Sequence, residues 1–252
     1  MPSPLAPLQR FARGLLDRSR DGFETDRLRS GTVALGLVVL VTVATTAGIL
    51  GLGIAFDATI DREVTVDNPD RPPASTCDSF DDDEDSLAPV LEERCDEPER
   101  IDVDVGEELR SATGGYAGYG LIGVPIWWVI FALALHGGAR LAGGSGSLGD
   151  SFVIAAWALV PELLRLVAGL AAIWYALATT TVEGTTVEAI ANEVVAAMST
   201  MEGPLLAASA VVIAAQWVIV AGGMEAAHDL DRGTAGAVAG ALAVLGLLLA
   251  AV

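Results

Sequence analysis

The chain has 252 residues, 52% of them hydrophobic, and a formal net charge of −19. Several apolar runs reach 18 residues or more, which excludes an ordinary soluble domain and implies an integral membrane protein. The acidic balance argues against nucleic acid as a partner.

All 14 basic residues are arginine and none is lysine. A carboxylate-rich, lysine-free surface stays hydrated at high salt, which points to a halophilic source with a GC-rich genome, such as an archaeon.

Residues 1–30 are the most basic region, with Arg10, Arg13, Arg18, Arg20, Arg27 and Arg29 against four acids. Leu5, Leu8, Phe11 and Leu15 recur at helical spacing. The pattern predicts a short amphipathic helix on the cytoplasmic membrane face. A plain solvated arm is the alternative. The stretch has no apolar core or cleavage site of the kind a signal peptide needs.

Residues 31–56 are apolar and free of charge until they end, and read as the first span. Residues 57–115 form an acidic insert, with Asp81, Asp82, Asp83, Glu84 and Asp85 in one run. The run lacks the alternating ligands, central glycine and distal glutamate of an EF-hand, so it reads as a solvated, self-repelling segment. Val64, Val66, Val103 and Val105 alternate with polar residues, consistent with a small β-hairpin. Cys77 and Cys95 are the only cysteines. Outside the cytoplasm such a pair persists as a disulfide, and two ligands without a nearby histidine are too few for a metal site.

The second span is predicted over 116–136, with Trp127 and Trp128 inside it. His136 and Arg140 follow at i,i+4, where a basic pair suits a helix C-terminus. The stretch 143–167, GGSGSLGDSFVIAAWALVPELLRLV, organises the rest. Gly143, Gly144, Gly146 and Gly149 allow a tight turn, and Ser145, Ser147 or Asp150 can cap the helix that follows. The third span is predicted over 152–178, kinked at Pro161, which removes one backbone hydrogen bond. Glu162 and Arg165 share a face. Two readings of that pair stay open. In one it lies at the cytoplasmic interface, residues 151–160 forming a surface or re-entrant segment. In the other it is a mid-bilayer ion pair.

Residues 179–203 carry four glutamates and no base. They read as an acidic amphipathic helix, with a capping box at Thr185–Glu188. The fourth span is predicted over 204–222, with Gln216 as its polar interior group. A short turn over 223–232 holds Glu225, His228, Asp229 and Arg232. The fifth span, 233–252, contains a Gly236/Gly240 packing motif. Arginine before span one, at Arg140 and at Arg232 places the N-terminus in the cytoplasm and the C-terminus outside, in a plasma-membrane, multi-pass topology.

The run 123–161, GVPIWWVIFALALHGGARLAGGSGSLGDSFVIAAWALVP, resembles the Yip1 family. A helix ends in a His/Arg pair, a GG-x-GS turn follows, and an aromatic–x–Leu–x–Pro element closes it. Ala156-Trp157 stands where the family often has Gly-Tyr, and Gly123-Val124-Pro125 is at most a remnant of a DLYGP-type element. The resemblance implies an all-α, polytopic bundle of five transmembrane helices and a non-enzymatic role. In eukaryotes the family acts in membrane organisation and vesicle traffic, binding small GTPases and one another. For a prokaryotic chain this reduces to a scaffold or membrane-shaping role.

No catalytic motif stands up. Gly143-Gly144-Ser145-Gly146 fits the G-x-S-G of rhomboid-type proteases, but His136 and His228 are expected in polar turns, away from a serine in the membrane. Ser147-Leu148-Gly149-Asp150 is one residue short of an aspartyl G-x-G-D. No HExxH, Walker loop or dinucleotide fingerprint occurs, so no cofactor is expected. The candidate polar patch is His136, Arg140, Gly143, Gly144, Gly146, Trp157, Pro161, Glu162 and Arg165, with Arg140 and Arg165 as phosphate contacts. Expected partners are the lipid bilayer and a membrane protein or second copy of the chain. A small transporter using Glu162, Arg165 and Gln216, and a sensor using the acidic loop, are the alternatives.

Overall fold

The structure, a computed structural model, describes residues 6–24, 30–77, 93–179, 189, 192–193, 195–196 and 199–250. In chain order it contains α1 (Ala6–Glu24), α2 (Gly31–Thr59), β1 (Glu63–Asp67), α3 (Ala74–Cys77), β2 (Arg100–Asp104), α4 (Val105–Leu141), α5 (Leu148–Leu159), α6 (Glu162–Thr179), α7 (Glu202–His228) and α8 (Arg232–Ala250). Among the described residues, four stretches are long and apolar enough to cross a bilayer: Gly31–Thr59, Val105–Leu141, Leu148–Thr179 and Glu202–His228. Their outer faces are apolar, with Leu35, Val39, Ile122 and Ile126 all more than half exposed. That is the surface of a protein solvated by lipid tails. α8 occupies the place of the expected last span and packs on α7 and α4.

Capping, rather than hydropathy, decides where these helices end. The helix that carries the second span is longer than that span, because residues 105–115 are helical as well. The Asp104 carboxylate accepts from the Glu107 N–H at 3.0 Å, and Glu107 and Glu108 face the positive end of the helix dipole. The turn expected over 223–232 is mostly helix as well. α7 runs on to His228, and only Asp229 to Asp231 separate it from α8. Asp229 closes α7 in the left-handed region (φ 55°), which aspartate tolerates better than most residues.

α2 and α4 make the most extensive helix–helix contact in the bundle. They approach closely because glycine lies at the seam. A side chain at Gly120 would meet the Thr46 Cα at 3.3 Å, and one at Gly106 would meet the Ile60 carbonyl oxygen at 2.5 Å. At that end β1 and β2 pair antiparallel, Val64 opposite Val103 and Val66 opposite Ile101. The hairpin expected from the valine alternation is therefore present, with Val105 opening α4 instead of extending the strand. Val64 is buried with Ile60 and Val105 in a small second core. Cys77 and Cys95 form a disulfide across a separation of 18 residues. A loop closure of that size stabilises by about 3 kcal/mol in the chain-entropy account. The acidic run 81–85 and the capping box at 185–188 lie outside the described residues, as does most of the helix expected over 179–203.

α1 is a helix, as its amphipathic pattern predicts, and it lies on protein. It packs along α7, with Leu16 and Phe23 buried in the main core. A chain of alternating charges fixes it. Arg20 bonds Glu24 at 2.6 Å and Glu225 at 2.9 Å. Arg232 bonds Glu225 at 3.3 Å and Asp17 at 2.6 Å. The Glu24 carboxylate, with Glu225 beside it, raises the Arg20 guanidinium above its usual value. Contact is close at Gly222, where an added side chain would meet the Ser19 Cβ at 2.7 Å and the Arg20 nitrogen at 3.0 Å. Gly222→Leu is therefore expected to lift α1 off the bundle. Limited trypsin digestion should then cut faster after Arg18 and Arg20 than in the wild type, and equal rates would contradict the docking.

Candidate functional site

The sequence-predicted residues fall into two clusters at opposite ends of α5. α5 has 12 residues, so about 18 Å of helix separates them. They do not form the single patch expected.

The first cluster is the turn between α4 and α5. Gly143 sits at φ 85°, a conformation glycine adopts without a Cβ clash. Its neighbours fold back on the bundle: the Gly144 N–H donates to the Ala139 carbonyl at 2.8 Å, and the Ser145 N–H to the His228 carbonyl at 3.0 Å. Arg140 donates to the Gly144 carbonyl at 3.3 Å and the Gly146 carbonyl at 3.1 Å. Through these two bonds Arg140 ties the turn. It also donates to the His136 Nε2 at 3.5 Å. Ser147 starts α5 with a capping box. The Asp150 N–H donates to its hydroxyl at 3.2 Å, and its own N–H donates to the Asp150 carboxylate at 3.0 Å.

Beneath the turn lies a contact that sequence spacing does not reveal. Ser151 on α5 and His228 on α7 are both fully buried, and the Ser151 hydroxyl and His228 Nε2 are 3.0 Å apart. Expected in a polar turn, His228 is instead a core residue at a helix end. The other ring nitrogen, Nδ1, has no hydrogen-bond partner. A catalytic triad would set an orienting acid there. Here Gly146 covers that edge: a side chain at Gly146 would meet the His228 Nδ1, and its Cγ at 2.7 Å. The pair fastens α5 to α7. The His136 ring stands 6.1 Å from that of His228. Ser145 donates to the Asp229 carboxylate, closing the turn onto the α7–α8 loop. In that loop the Thr234 hydroxyl, followed by the Thr234 N–H, holds the Asp231 carboxyl below its usual range.

The second cluster is the break between α5 and α6. Pro161 has no N–H, and the helix stops at Leu159. Three 3₁₀-type bonds span the gap, from the Val160 N–H to the Trp157 carbonyl at 3.2 Å, from the Leu163 N–H to the Val160 carbonyl at 3.1 Å and from the Leu164 N–H to the Pro161 carbonyl at 3.0 Å. Trp157 itself is half-buried against the main core. Gln216 on α7 donates to the Ala158 carbonyl at 3.0 Å and to the Glu162 carboxylate at 2.8 Å. Glu162 also pairs with Arg165 at 3.2 Å. The stretch before the break is deeply buried, with Ser151, Ile154, Ala155 and Ala156 wholly inaccessible. Residues 151–159 thus lie against protein, with α5 in the centre of the bundle.

Sequence reading missed the Ser151–His228 contact and the bonds of Glu225 to Arg20 and Arg232. The one available signal was the helical i,i+3 spacing of Glu225 and His228, visible only if α7 is extended past Gly222.

Gly146→Ala is expected to drive a methyl into the His228 ring and lower stability by about 1–3 kcal/mol. Gly149→Ala meets only the Ser147 hydroxyl, at 3.5 Å, and should be neutral or stabilise by up to about 1 kcal/mol. Thermal unfolding in detergent compares the two. Equal effects would contradict the turn geometry.

Among curated proteins and among solved structures, no significant match is found. The model of the Yip1 domain matches residues 13–252. That match begins within α1 and takes in both clusters, the helix break and the whole helical bundle. The chain therefore belongs to the Yip1 domain family.

Proposed function

We propose that this chain is a non-enzymatic scaffold of the plasma membrane. It crosses five times, with α8 as the last span, the N-terminus in the cytoplasm and the C-terminus outside. One observation carries the reading: polar groups along the spans fasten one helix to another. Ser151 holds His228, and Gln216 holds the Ala158 carbonyl and Glu162. The Trp128 indole donates to the Phe152 carbonyl at 2.9 Å and the Trp217 indole to the Gly236 carbonyl at 3.1 Å. Interior chemistry of this kind supports a fixed shape presented to a partner. Arg13 and Arg18 are exposed on α1, where an anionic headgroup or an acidic protein surface can meet them. Arginine clustered at that end and carboxylates at the hairpin end support the orientation.

Crosslinking and pull-down from native membranes, with and without residues 1–30, tests the scaffold role. A partner captured by the full chain and lost from the truncated one is expected. Absence of any partner in both would remove the reading. For the orientation, a membrane-impermeant maleimide added to reduced intact cells is expected to label Cys77 and to miss an Arg10→Cys probe. The reverse pattern would invert the topology.

A second reading, a small transporter, draws on the meeting of Glu162, Arg165 and Gln216 about halfway along their spans. Flux in proteoliposomes that disappears in Glu162→Gln would favour it over the scaffold. Wild-type vesicles without flux would dismiss it.

A further inference from the structure

Glu162 and Arg165 are the only charged side chains more than two helical turns from an end of the four candidate spans. They lie equally far from Leu148 and from Thr179, the limits of their own span, and Gln216 lies near the middle of α7. Two independent helices thus set this cluster at mid-depth. Even so, the Arg165 side chain is 43% exposed and that of Glu162 is 30% exposed.

The bonding is lopsided. Glu162 has a partner on each oxygen, Gln216 on one and Arg165 on the other. Arg165 has five N–H donors and engages Glu162 through Nη1, while its Nε is buried with no hydrogen-bond partner. Lipid tails offer no acceptor, and the headgroups are about 15 Å away from the bilayer centre. A half-exposed guanidinium at that depth calls for protein on its open side.

We propose that this face is the contact between two copies of the chain, with Glu162 of each copy accepting from Arg165 of the other across a two-fold axis. A second copy necessarily carries the matching pair, because a two-fold contact is self-complementary. Each copy brings two unused acceptor positions on Glu162, enough for two of the spare donors of Arg165, and the four charges sum to zero. The rest of the face permits close approach. Ala168, Gly169 and Ala172 follow Arg165 at i+3, i+4 and i+7, and a side chain added at Gly169 would meet nothing within 4 Å in its own chain. Small residues at such positions let membrane helices pack backbone to backbone.

The inference rests on α5 and α6 crossing the bilayer, and not on the scaffold role. A monomer would overturn it while leaving the pull-down result intact. The test uses the full-length Gly169→Cys protein in liposomes, treated with a short bis-maleimide while Cys77 and Cys95 remain bonded. A crosslinked dimer is expected. Arg165→Leu should lower the dimer association constant about tenfold or more, as when one member of a desolvated interfacial pair is truncated. The exchanged variant, Glu162→Arg with Arg165→Glu, keeps its internal pair. It should crosslink with itself and not with the wild-type arrangement, where like charges would face each other. Monomers by single-molecule photobleaching at physiological protein-to-lipid ratio would overturn the proposal. So would full crosslinking between exchanged and unexchanged chains.

Discussion

The side-chain amide of Gln216 mends a helix that Pro161 breaks. A bilayer interior has no water to satisfy a freed carbonyl, so a break there persists only where protein supplies the missing donor. The donor comes from α7, and the same amide group also holds the Glu162 carboxylate. One hydrogen-bonding group therefore ties α5, α6 and α7 at a single point. Removing it would leave the Ala158 carbonyl bare in a low-dielectric setting, where an unpaired polar group costs about 1–3 kcal/mol.

At the other end of α5 a separate set of bonds does similar work. The capping box at Ser147 starts the helix, Ser151 joins it to His228, and Arg140 gathers the turn carbonyls. Between these two anchors Ser151, Ile154, Ala155 and Ala156 are wholly inaccessible. α1 then covers the neighbouring end of α7, and its charge chain reaches α8 through Glu225 and Arg232. The first and last helices described are thus linked through one carboxylate, whose side chain is only 10% exposed.

Much of this was legible in the residues. The apolar runs locate the spans, Pro161 marks the break, the alternating valines mark the hairpin, and two lone cysteines find each other. The resemblance over residues 123–161 pointed to the family that the match over 13–252 bears out. The ends of α4 and α7 were not legible from hydropathy, since polar residues extend both helices once Asp104 and Asp229 set their limits. Nor was the Ser151–His228 contact, which joins positions 77 apart in the chain. α1 posed a different difficulty: an apolar stripe between arginines looks the same whether lipid or protein will cover it. Leu16 and Phe23, buried in the main core, and Gly222, a bare spot on α7 under Ser19, mark the docking.

The length of α4 has a mechanical consequence. Its first eleven residues, through Gly115, precede the apolar stretch that begins at Tyr116 and extend the helix by about 16 Å. The antiparallel strands are joined directly to that extension, since β2 ends at Asp104 and α4 starts at Val105. With Asp57 and Arg110 bridging α2 and α4 near the same height, at 2.8 Å, the two helices form a stiff stalk. A tilt of the embedded portion by about 10° would swing the tip of this 37-residue rod by roughly 10 Å. Small leaning motions within the membrane would thereby become large sideways displacements of the disulfide-closed tip.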